Sequence, residues 1–204
     1  MNPILNQAVQ FLKTSTTSAP APAAVVEALL QLEKMAKRAR IKHSYSQLQG
    51  CWRLGFVTGT KRVRQQAGIV LGAGRFLPQW VKIQLSYTSS EERPDRGQVE
   101  NSVSLGLLQL TLSGPTQFWP KTNILAFDFI RMRIVLGGLQ LYDGSIRGGE
   151  NREAQFYKQT VKEQPFFTYF LAAGDCIAAR GRAGGLALWT KTKRQEADGR
   201  WQKG

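Results

Sequence analysis

The side chains in this sequence that could do chemistry are few and scattered. Asp128 and Asp143 are two carboxylates in strand-like surroundings, and such a pair can divide general acid and base work when its environments separate the two pKa values. Asp143 is followed by glycine in LYDGS, however, and Asp-Gly is a hairpin signature, which explains it better. Cys51 and Cys176 stand far apart and read as two reduced thiols in strands rather than a disulfide framework. A lone histidine, His43, leaves too few ligands for a Cys/His metal site. GAGR at 72–75 lacks the glycine spacing and terminal Lys-Ser/Thr of a phosphate loop, with no helical pattern behind it, so it reads as a turn. No Gly-x-Ser-x-Gly or His-Glu-x-x-His signature occurs. Nothing here calls for an enzyme, a metal or an organic cofactor.

Charge says more. The 204 residues carry a net charge of +14, and from Lys34 to Ser90 there is no acidic residue at all. That stretch holds Lys34, Lys37, Arg38, Arg40, Lys42, Arg53, Lys61, Arg62, Arg64, Arg75 and Lys82. A segment of one sign repels itself and attracts phosphates or anionic lipid head groups. Closely interleaved aromatics and a recognition module are missing, which makes nucleic acid the less favoured polyanion. Apolar runs such as GIVLGAG fall far short of the ~20 residues a membrane-spanning helix needs. The N-terminus has neither the charged start of a secretory signal nor the arginines of a transit peptide.

The elements that must position these groups follow from periodicity. Residues 3–13 place Ile4, Leu5, Val9 and Leu12 at helical spacing, and TSTTSAPAPA at 14–23 reads as a linker. A second helix is expected from about Ala23 to Arg40, with Val26, Leu29, Leu30, Leu32 and Met35 as its apolar face and basic last turns. From Leu48 the period becomes two. Val81, Ile83, Leu85 and Tyr87 alternate with Lys82, Gln84, Ser86 and Thr88. Val103, Leu105 and Leu107 shift phase to Leu108, Leu110 and Leu112, and Phe127 and Phe129 shift to Ile130, Met132 and Ile134. Such slips inside long strands predict bulges or bends. LQLYDGSI, FFTYFLA, CIAARG and GLALWTK continue the strands, with one helix over 150–164 closed by Pro165. The expected class is mainly β: an antiparallel β-barrel preceded by N-terminal helices, with one short helix before the last strands. A two-sheet sandwich is the alternative. The expected division is a helical segment at 1–47, a barrel at 48–191 and a basic tail at 192–204.

Two motifs carry a resemblance. LQGCWRL at 48–54 is similar to the Leu-x-Gly-x-Trp-x-Leu strand that opens the lipocalin-like barrel of the plastid-lipid-associated protein/fibrillin family. Tyr169, Asp175, Arg180, Gly181, Gly184 and Leu186 match much of the family's closing pattern. QVENSVSL resembles its Val-x-Asn strand, and VVEALLQLE its helix before the first strand. The sequence departs from the family at Ile177 and Ala178, and in the basic KMAKRARIKH where Asn-Pro is usual.

The resemblance implies a binding or carrier protein for a small apolar ligand: a prenylquinone, carotenoid or other lipid. It implies a place at photosynthetic membranes or lipid globules, in the cyanobacterial cytoplasm at the thylakoid periphery or in a chloroplast. The ligand would face Val81, Ile83, Leu85, Tyr87, Val103, Leu105, Phe127 and Phe129. Lys34, Lys37, Arg38, Arg40, Lys42, Lys61, Arg62 and Arg64 would dock on anionic lipid. Gly50, Trp52 and Arg180 would latch the closed end, the guanidinium lying over the indole, with the ligand admitted at an opposite, cation-rimmed end. The competing class is a bilin- or tetrapyrrole-handling lyase or chaperone of the phycobiliprotein lyase type. No catalytic residue for it stands out.

Overall fold

The computed structural model describes residues 2–14, 17–59 and 74–192. Lys61, Arg62 and Arg64, the first residues of the GAGR stretch and the tail beyond Thr192 lie outside the described residues. Two helices, α1 (Pro3–Thr14) and α2 (Pro22–Arg38), and a single turn, α3 (Tyr45–Leu48), lead into β1 (Gly50–Val57). Then follow β2 (Arg75–Phe76), β3 (Val81–Ser89), β4 (Arg96–Leu105), β5 (Leu108–Trp119), β6 (Ile124–Phe127), β7 (Arg131–Leu136) and β8 (Leu139–Ser145). The short helix α4 (Gly149–Phe156) precedes β9 (Phe166–Ala172), β10 (Cys176–Gly181) and β11 (Leu186–Thr192). The expected helix over 150–164 is thus shorter. Thr160 and Glu163 cap a separate 3-10 turn at Val161–Glu163.

All pairings are antiparallel, in the order β4-β3-β1-β11-β10-β9-β6-β5, and β5 returns to pair with β4. The sheet is therefore a closed eight-strand barrel, as the alternation predicts, and the sandwich is excluded. One of the two phase slips has a different cause from the one expected. Leu105 sits opposite Leu108, so Gly106 and Leu107 form a two-residue hairpin turn, with glycine (φ 58°) at its first central position as in a type II′ turn. Gly137 and Gly138, both with positive φ, make the next hairpin between Leu136 and Leu139. Asp143 and Gly144 are not a turn. They lie within β8, where Asp143 faces Arg133 across the ladder and accepts from Arg131 Nε at 2.8 Å.

The second slip is a fork. β5 pairs with β4 from Leu108 to Gln117. On its other edge Leu108–Ser113 pair with β7, whereas Thr116–Trp119 pair with β6. β6 pairs onward with β9 and closes the barrel; β7 pairs onward with β8 and leaves it as a flange. Between them Asp128 N–H still donates to Pro115 O at 3.2 Å and Ile130 N–H to Ser113 O at 3.0 Å. A β-carbon on Gly114 would run into the Asp128 carbonyl oxygen, so only glycine allows the two backbones so close. The Asp128 carboxylate, 2% exposed, is held by Arg152 Nε at 2.7 Å, Arg147 Nη1 at 3.4 Å and the Phe129 N–H at 2.9 Å.

Two apolar clusters share the wall. Outside it, α1 and α2 cover Phe56, Phe170, Cys176, Ala178, Leu186 and Leu188. The helix face that does so is Val25, Ala28, Leu29 and Ala36. Leu30 and Met35, expected on the buried face, are exposed, because the stripe runs along the next row of the helix. A register shift between Leu54 and Phe56 turns Phe56 outward toward the helices while Trp52 stays inside. Inside, Trp52, Leu85, Tyr87, Val99, Phe118, Leu125, Tyr169, Ile177 and Trp189 fill one half of the barrel.

Gly114→Ala should destabilise the fold by about 1–3 kcal/mol through overpacking against backbone, measured by urea unfolding. Asp128→Asn should cost a similar amount, about 1–3 kcal/mol, by weakening charge-assisted bonds to a buried acceptor.

Candidate functional site

Alternation and register define one inner face across five strands. Leu85 and Tyr87 are buried in the inner cluster, so Ile83 and Val81, two and four residues back along β3, share their face. Opposite residues share a face too, which gives three rows. Val81, Leu105, Leu108, Leu136 and Leu139 form the row at the rim. Ile83, Val103, Leu110, Ile134 and Tyr142 form the next, and Leu85, Asn101, Leu112, Met132 and Gly144 the third. The opposite face of the same strands is polar, with Lys82, Gln84, Ser86, Thr111, Ser113, Arg131 and Arg133. An apolar sheet face of this breadth is normally covered. Here the middle row is only partly buried and the rim row is half-buried to exposed.

One amide interrupts it. Asn101 Oδ1 is buried without a hydrogen-bond partner, while the Tyr142 hydroxyl is bonded to Ser145 O at 3.1 Å. A polar atom in an apolar surface costs stability unless something satisfies it. Asn101 is not among the expected ligand-facing residues, although its register opposite Leu85 puts it on their face.

Of the expected ligand-facing residues, Val81, Ile83, Val103 and Leu105 lie on this open part of the face. Leu85 and Tyr87 lie deeper, in the filled half. There an aromatic series runs through the interior. Phe129 meets Phe127 (ring centroids 5.4 Å), Phe127 meets Phe167 (5.2 Å), Phe167 meets Trp189 (5.4 Å) and Tyr169 (6.2 Å). Tyr169 then meets Tyr87, their hydroxyls 2.9 Å apart. Burial pushes both phenols well above their ordinary pKa, and Tyr45 up to about 12, so they are neutral bonding groups at physiological pH. Phe127 and Phe167 also line an apolar depression of about 500 Å³ with Pro165, Phe166 and the 181–183 turn.

The end of the barrel at Gly50 is shut, but not by the expected latch. Trp52 is fully buried and its Nε1 donates to Leu48 O at 2.7 Å. The cation over its ring is Lys191, with Nζ 5.2 Å from the centroid, directly across the β1–β11 ladder. Arg180 is on the outer face of β10, level with Leu186 of the outer cluster. It forms a two-pronged ion pair with Glu33 of α2 and donates to Gly184 O at 2.7 Å. Strand alternation explains the difference: Ile177 and Ala179 point in, so Arg180 points out. Gly50 has φ 112°, and a β-carbon there would meet the Lys191 side chain.

Lys34, Lys37 and Arg38 are exposed on α2, and Arg40 and Lys42 are exposed on the segment after it. That segment belongs to the shut end, since Lys42 Nζ donates to Lys121 O and Asn123 donates to Ile41 O in the β5–β6 turn region. These cations do not rim the apolar face. Among the described residues neither Asp128 with Asp143 nor Cys51 with Cys176 forms a pair. Asp128 and Asp143 are each committed to their own arginines, and Cys51 and Cys176 are buried and not joined in a disulfide. Burial pushes the Cys176 thiol up to about 12, which suppresses thiolate. Among the described residues no three His, Cys, Asp or Glu side chains gather, and no helix is long and apolar enough to cross a membrane.

A double-mutant cycle should find Trp52 coupled to Lys191 by about 0.5–1 kcal/mol and uncoupled from Arg180. His43 is also testable. Burial lowers its pKa below 6.5, partly opposed by bonds to the Phe170 backbone and Gln47. The folded state then binds fewer protons than the unfolded chain below about pH 6.5. Stability should be full above that value and fall as pH drops toward the folded pKa. His43→Gln should flatten this part of the profile in pH-dependent urea unfolding. Compared with protein-family models and with curated proteins, the sequence finds no match, so the reading of its function rests on this geometry.

Proposed function

We propose that the protein is a binding or carrier protein for a small apolar ligand, and that it loads this ligand at a lipid surface. The observation that carries the reading is the three-row apolar face of β3, β4, β5, β7 and β8, open at its rim and holding one unpartnered amide. A ligand with an apolar body and a single hydrogen-bond donor, such as a quinol or carotenoid hydroxyl, complements both features, as in other concave apolar sites. Prenylquinones and carotenoids with oxygenated ends are the ligand class that the resemblance to the fibrillin family suggests. Membership of that family, with a place at photosynthetic membranes or lipid globules, belongs to the same proposal.

The rim supports loading from lipid. Leu107 (76% exposed), Leu139 (67%) and Trp80 (68%) stand at the tips of the hairpins and at the start of β3, beside the rim row of leucines. Leucine tips with an exposed tryptophan suit the boundary between head groups and acyl chains. Docking through the α2 cations would instead present the shut end to the bilayer.

Tryptophan emission should be quenched saturably by a short-chain prenylquinone. Ile134→Glu should abolish this while leaving the far-UV spectrum and unfolding midpoint near those of the parent. Asn101→Leu should weaken binding of the reduced quinol, whose hydroxyl can donate to the unpartnered Oδ1, about 5–10-fold, the worth of one hydrogen bond, yet stabilise the empty protein. A folded Ile134→Glu protein that binds as before would overturn the apolar face as the site. Leu107→Asp with Leu139→Asp should remove co-sedimentation with neutral phosphatidylcholine vesicles.

A further inference from the structure

At the shut end the backbone breaks a local rule. After α2 the chain closes with Ile41 N–H donating to Ala36 O at 3.0 Å and Arg40 N–H to Lys37 O at 3.3 Å. This is the Schellman arrangement, whose left-handed position is usually glycine. Arg40 occupies it with φ 52°, a conformation that arginine adopts only at a cost. Across from it Asn123, also left-handed at φ 54°, pins the segment by donating to Ile41 O at 2.7 Å and accepting from His43 N–H at 2.9 Å. Between them is a cleft of about 370 Å³. Lys37, Arg40, Lys42, Lys121 and Arg180 line it against a single carboxylate, Glu33, which Arg180 already engages. Among the described residues the other four cations have no carboxylate partner. The helix dipole accounts for Lys37 but not for Lys42 or Lys121, which lie off the helix.

We propose that this cleft is a binding site for a phosphate-type anion, with Arg40 held in its strained conformation so that its guanidinium joins Lys37, Lys42 and Lys121 around the ligand. Four cations confined in one concavity repel one another, and a multiply charged oxyanion relieves that repulsion while accepting several N–H donors. The site is independent of the apolar face. Its ligand is either a soluble phosphate compound or the head group of a phospholipid.

The test uses the full chain at low ionic strength, with inorganic phosphate followed by calorimetry and phosphatidate-containing vesicles by co-sedimentation. Arg40→Gln with Lys121→Gln should weaken binding at least tenfold. The charge-matched pair Lys158→Gln with Lys162→Gln, on the exposed turn after α4, should leave it within twofold. Selective loss of inorganic phosphate binding supports the site with a soluble ligand. Selective loss confined to the vesicles supports it with a lipid head group. Arg40→Gly should raise Tm by about 2–4 °C through relief of the left-handed residue and still lose affinity, which a purely structural residue would not do. The proposal is overturned if neither probe binds, if both charge-matched pairs weaken binding alike, or if Arg40→Gly binds as the parent does.

Discussion

The close approach of Gly114 to the Asp128 carbonyl is the constraint on which the rest of the architecture depends. One long strand, β5, keeps a single partner on one edge and divides the other between β6 and β7. Without the fork the barrel and the flange would compete for the same ladder. The buried Asp128 carboxylate, fixed by two arginines and a backbone N–H, holds the branch point at the geometry where both pairings are satisfied. A buried charge is tolerated only when it is met in this way. Glycine there and the ion cluster beside it are two parts of one device.

From the fork the molecule acquires two unlike ends. Toward Gly50 the interior is closed by large rings that touch in series and by hydroxyls bonded to one another, so that half behaves as an ordinary packed core. Toward the hairpin tips the strands continue past the point of closure. There the inward row has no facing wall of described protein, and leucines that elsewhere would be buried reach solvent. The open apolar face in this barrel comes from the strands leaving the closed cylinder rather than from a hollow centre.

The described cations differ in their pairing. On the barrel wall and around α4, cations such as Arg131, Arg147 and Arg152 have carboxylate partners. Among the described residues, Lys37, Arg40, Lys42 and Lys121, at the shut end behind α2, have none. An apolar ligand and an anion could be held at once without contact between them.

Period-two alternation, read from Leu48 onward, favoured an antiparallel barrel over a two-sheet sandwich and marked the inward set on β3 and β4, and helical spacing marked the two helices ahead of them. Hydrophobic pattern depends on local burial, and burial is what a strand or helix face records. The alternation could not say whether a phase slip was a bulge or a two-residue hairpin, because each moves the pattern by one position. At Leu105–Leu108 the hairpin won, and at Phe127–Ile130 the slip became the fork. Trp52 was recognisable as a core residue from its place in the first strand. Its cation was not, since Lys191 and Arg180 both lie near the chain's end and only strand register decides which of them faces inward. Arg40 had no signal as a left-handed cap, because φ is set by how α2 ends against the β5–β6 turn. Composition and periodicity determined what kind of barrel this chain forms; where it opens, which cation covers Trp52, and which cations are left unpaired were decided only when distant strands met.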